Sequence, residues 1–123
     1  MSSDAPSPTQ EHKTHADILT AAADLLEKPG AWTQGCFARD QSGKPSAPRD
    51  PDAVCYCMAG AIYSIVGTNS RGDALIDVLS TRARRQGFRH IAHWNDKENR
   101  TQAEVVSALR AAADLARTEQ VKG

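Results

Sequence analysis

Apolar residues recur at helical spacing in four stretches of the chain, separated by polar runs containing Gly and Pro. In the first stretch Ile18, Ala22 and Leu25 share one face, flanked by Leu19, Ala23 and Leu26. Thr14 and Asp17 precede it at capping-box spacing, and Lys28, Pro29 and Gly30 supply a cation and then a stop. In the second, Asp50 and Pro51 read as an N-cap followed by proline at the first helical position. Val54, Met58, Ala61 and Ile65 then form one stripe, and Cys55, Ala59, Ile62 and Val66 a neighbouring one. So wide an apolar arc predicts the most buried helix, closed by Gly67. Gly60 in its middle costs about 1 kcal/mol relative to Ala, which predicts a close-packed neighbour. The third helix is expected from Ser70, with Asp73 three residues on, to Gln86, with Leu75, Val78 and Leu79 facing inward. Gly87 and Phe88 resemble a left-handed cap with an apolar residue folding back. Thr101-Gln-Ala-Glu104 is a capping box, and Val105, Leu109, Ala112 and Ala116 mark a last helix reaching about Arg117.

The intervening segments carry weaker signals. Residues 1 to about 12 are polar, contain Pro6 and Pro8, and are expected to form a disordered tail. Ala31 to Arg39 has no clear period and reads as an irregular or helical piece plugging one end of the core. Asp40 to Asp52, rich in Gly, Pro and Ser, reads as a surface loop. The expected architecture is therefore all-α: one domain of about four helices over residues 13–118, with a short C-terminal tail at 119–123.

Composition narrows the setting. A chain of 123 residues suits one domain with a modest core. Fifteen acidic and fifteen basic residues cancel, so no global field draws it toward nucleic acid or an anionic membrane. The N-terminal residues lack the basic and apolar regions of a signal peptide, and the interrupted apolar run from Val54 to Val66 is too short to span a bilayer. With three cysteines, Cys36, Cys55 and Cys57, the expectation is a cytoplasmic protein with reduced thiols and no membrane association.

At Trp32-Thr-Gln-Gly35, Cys57-Met-Ala-Gly-Ala61, Trp94-Asn-Asp96 and Thr101-Gln-Ala-Glu-Val105, the chain resembles a family of small uncharacterised bacterial and phage domains. The resemblance spans roughly residues 15 to 117 and rests on the order and spacing of the four pieces. It implies a folded domain of unknown function and supplies no mechanism.

Four constellations carry candidate chemistry. On a helix Cys55 and Cys57 point to nearly opposite sides, which suits small buried packing groups better than a metal or redox pair. A thiol hydrolase would instead use Cys57 or Cys36 as nucleophile, His93 as base and Asn95 or Asp96 as orienter, with Gln34 near the oxyanion. His12 with His15 and His90 with His93 sit at i, i+3, but zinc would need further ligands from Cys57, Asp96 or Glu98, and no ligand spacing points to a metal or other cofactor. On a helix Arg82, Arg85 and Arg89 form a basic stripe able to grip phosphates, although neutral charge and the lack of a recognition motif make nucleic acid the less favoured partner. Finally, His93, Trp94, Asn95 and Asp96, with Trp32 and Gln34, could either lock the approach to the last helix or surround a small polar ligand or protein partner. The reading that results is a noncatalytic binding or accessory module, ahead of a hydrolase using Cys57, His93 and Asp96 and of an arginine-stripe nucleic-acid binder. Oligomeric state is not legible.

Overall fold

Thr14 accepts the Asp17 N–H on its hydroxyl at 3.0 Å, capping helix α1 (His15–Glu27). The computed structural model describes residues 14–122, so the expected N-terminal tail lies outside the described residues. Helix α1 buries Ala16, Ile18, Leu19, Ala22, Ala23 and Leu26, while Leu25 is only half-buried at the edge of the stripe.

Past α1 the fold departs from the all-α expectation. Strands β1 (Ala38–Asp40), β2 (Pro45–Ser46) and β3 (Ala53–Tyr56) form a small antiparallel sheet in the order β2-β1-β3. The expected loop from Asp40 to Asp52 thus contains a hairpin, in which the Asp40 carboxylate accepts the Ser42 N–H and hydroxyl and the Lys44 N–H. The segment Ala53–Tyr56, where the spacing predicts the first turns of the buried helix, is strand β3. Val54 is exposed, and only Val, Cys and Tyr at 54–56, with their high strand propensity, hinted at the change. Trp32 pairs in parallel with Tyr56 on the other side of β3, which makes Ala31 to Phe37 an irregular plug.

Helix α2 (Met58–Val66) starts seven residues later than Pro51 suggests, and its N-cap is Cys57, whose sulfur accepts the Gly60 N–H at 3.2 Å. Cys55 therefore lies on a strand and Cys57 at a helix cap, so they do not share a helix. The Gly60 expectation holds sharply: a Cβ there would lie 1.8 Å from the Phe37 carbonyl oxygen, because the plug crosses directly over this turn. Helix α3 (Ser70–Arg85) starts at Ser70 as expected, is capped by Asn69, and buries Ile76 rather than Val78 beside Leu75 and Leu79. Gly87, at φ +97°, and the Phe88 N–H bonded to the Ala83 carbonyl give the left-handed ending.

A fifth helix, α4 (Ile91–Asn95), forms from the segment His90 to Asp96. Helix α5 (Gln102–Lys122) carries the reciprocal capping box between Thr101 and Glu104 and continues past the expected end at Arg117. The core forms chiefly where α1 packs along α5, with Leu19, Leu26, Val105 and Leu109 fully enclosed and α2 lying across them. Helices α3 and α5 touch only sparsely, and α4 is wedged near their gap against α2 and α3.

Candidate functional site

Helix α4 has one inward face, made by Ile91, Trp94 and Asn95 at i, i+3 and i+4. His90 caps it with Nδ1, accepting the Ala92 N–H, and buried Ser80 of α3 accepts the Ile91 N–H at 3.0 Å. Those two bonds fix the rotation of the helix, which turns Asn95 into the interior and His93 to solvent.

Asn95 is wholly buried and is the hub of the polar network. Its Oδ1 accepts the Trp32 indole N–H at 2.8 Å and the Met58 backbone N–H at 3.1 Å. Its Nδ2 donates to the Thr33 carbonyl and to the Asp96 carboxylate. Gln34 donates to the carbonyls of Asn95 and Lys97, and Asp96 also accepts the Gly35 N–H at 3.0 Å. Trp32, Gln34, Asn95 and Asp96 are thus brought together, and they bond chiefly to one another and to backbone. One side chain ties the plug, the α2 N-terminus and α4 into a unit. Arg39, which carried no sequence signal, supports the plug through the Thr33 hydroxyl and the carbonyls of Gln34 and Gly43.

The thiols are arranged differently from a nucleophile and base. Burial is the main cause that pushes the Cys57 thiol up to about 11, with the Asp96 carboxylate adding to the rise and the N–H groups of Gly60 and Ala59 opposing it. No hydrogen bond joins Cys57 to His93 among the described residues. A shallow, mainly apolar cleft of about 220 Å³ lies over the thiol, lined by Gly35, Cys36, Phe37, Cys57, Ala92 and Asp96. Among the described residues no three His, Cys, Asp or Glu side chains converge as metal ligands.

The arginine stripe is broken by the fold. Helix α3 ends at Arg85, and the turn at Gly87 takes Arg89 off its face, where the Arg89 carbonyl accepts from Arg84. Arg85 and Arg89 are exposed, whereas Arg82 is half-buried and belongs to a different feature.

That feature is a pocket of about 170 Å³ between α3 and α5. Met58, Leu79, Ala83, Ile91 and Trp94 form its apolar lining, and Ala108 and Ala111 make the α5 side. Small side chains on α5 leave the gap open. Its polar lining is Arg82 and Gln86, and the Gln86 Oε1 already accepts the Trp94 indole N–H at 3.2 Å. The back of the Trp94 ring is held by Arg100, whose guanidinium carbon stands 3.7 Å from the ring centroid and whose Nε donates to the Trp94 carbonyl. Trp94 and Arg82, singled out for unrelated reasons in the sequence, meet here. Gln86 and Arg100 were missed, since an exposed-looking Gln near a helix end and an Arg ahead of a cap carry no local signal.

Fold and site together define a small, mainly helical domain with a three-stranded antiparallel appendage and a pocket between helices. The chain belongs to a family of unknown function, DUF6197, whose family model matches residues 10–115. No curated protein and no solved structure matches it. No helix among the described residues is long and apolar enough to cross a membrane.

Proposed function

We propose that this domain is a noncatalytic binding module whose ligand site is the pocket between α3, α4 and α5. The observation that carries the reading is the convergence of Trp94 and Arg82 on one apolar space with few, well-defined polar groups. The small side chains of Ala108 and Ala111 leave the recess open on its α5 side, and Arg100 braces the Trp94 ring that lines it. The network around Asn95 is read as a structural lock, because its polar atoms are already satisfied. The free thiols suit a cytoplasmic setting, and the resemblance of the four motifs to phage and bacterial domains supports an accessory role of that kind.

The hydrolase alternative lacks equal support, since an activated thiolate needs a lowered pKa while Cys57 is moved the other way. The test is a titration of the full chain with hexan-1-ol, followed through side-chain methyl signals. The reading expects saturable shifts at Met58, Leu79 and Ile91, lost when Ala108→Leu fills the pocket. Absence of such shifts with both hexan-1-ol and hexanoate removes the reading.

A further inference from the structure

Resting on the pocket reading above, the polar lining of the pocket specifies the chemistry of what it holds. An indole N–H is only a donor, so its bond to Gln86 fixes the amide with Oε1 toward Trp94. That leaves the Gln86 Nε2 as a donor. The Arg82 guanidinium is also only a donor, and it makes no hydrogen bond or ion pair among the described residues. No carboxylate lines the pocket, and its remaining side chains are apolar. The Gln86 amide thus offers Nε2 as a donor beside one spare lone pair on Oε1, and the only charge in the lining is a permanent cation. A cationic head group is repelled by Arg82 and a neutral one gains no ion pair, whereas an anionic acceptor gains a charge-assisted hydrogen bond.

Size sets the other half. About 170 Å³ is close to the volume of an engineered apolar cavity of about 150 Å³ that takes up benzene. The space suits a single ring or a chain of about six carbons. We propose that the pocket binds a small monocarboxylate with a short apolar body, its head group at Arg82 and Gln86 and its body against Trp94, Met58 and Ile91. The half-buried position of Arg82 lets the head group stay at the solvent side while the body is desolvated.

The test compares hexanoate with hexan-1-ol on the full chain, reading methyl shifts at Met58 and Ile91 and the Trp94 fluorescence. Hexanoate is expected to bind about tenfold more tightly than hexan-1-ol, the order of effect of one charge-assisted hydrogen bond at a partly exposed site. Arg82→Gln is expected to bring the affinity for hexanoate down to that for hexan-1-ol. Equal affinities for the two probes, or an Arg82→Gln variant that keeps the preference, overturns the carboxylate assignment while the binding reading stands. If neither probe moves the pocket signals, both fall. Because Arg82→Gln alters a partly exposed side chain, the comparison survives even if pocket-filling variants fail to fold.

Discussion

Replacing Asn95 by Ala removes an acceptor that serves two donors at once. The Met58 N–H is buried at the start of α2, and the Trp32 indole N–H is half-buried, so neither finds water freely. An unsatisfied buried donor costs about 1–3 kcal/mol, and the smaller side chain also leaves a small void. The Thr33 carbonyl loses its Nδ2 partner as well. The sum is about 3–5 kcal/mol, a large share of the 5–15 kcal/mol typical of a domain. Urea unfolding followed by Trp fluorescence should therefore show the midpoint falling by about 2 M or more with little change in slope. Asp96→Ala, at an exposed position, should cost only about 1 kcal/mol, because the exposed Gly35 N–H can turn to water and the Asn95 Nδ2 keeps the Thr33 carbonyl. A loss under about 1 kcal/mol in Asn95→Ala would refute the lock, since it would mean that the buried donors are satisfied without Asn95.

Gly60→Ala should abolish cooperative folding or lower the melting temperature by well over 10 °C, checked by calorimetry, because its Cβ would meet the Phe37 backbone at 1.8 Å. Cys57 should resist alkylation at pH 8 in the native chain while Cys36, less buried, reacts, as read by mass spectrometry. Its folded pKa is raised from 9.0 to about 11, so the associated stability is intact below pH 9 and is lost as pH rises toward 11, a trend absent in Cys57→Ala. Glu104 runs the other way: the Thr101 N–H holds its carboxyl below the usual range, so its contribution is present at neutral pH and fades as acid protonates it. Glu104→Gln should flatten that part of the acid-stability curve in thermal scans.

The helices of the core were legible because their signals are local. The caps at Thr14 and Thr101, the stop at Pro29 and Gly30 and the left-handed turn at Gly87 act through neighbours in sequence. The sheet was not, because β1 and β3 are short and are held by pairing between segments some fifteen residues apart, while Pro51 mimics a helix start. Gly60 pointed correctly to a close neighbour but could not name Phe37. Of the six residues grouped by the sequence, Trp32, Gln34, Asn95 and Asp96 share one hydrogen-bond network, while His93 turns to solvent and Trp94 lines the pocket. The burial of Asn95 was invisible, and burial decides whether such a group binds a ligand or a fold. The pocket itself is lined from α2, α3, α4 and α5 together, a property of helix packing that leaves no mark on any one segment.

The most direct test of the binding account is a crystal structure of the full chain grown with hexanoate. The account predicts density between α3 and α5, with the carboxylate about 3 Å from the Arg82 guanidinium and the Gln86 amide, and the chain against Trp94 and Met58. An empty gap in crystals with hexanoate seated elsewhere, such as the cleft beside Phe37, would contradict it.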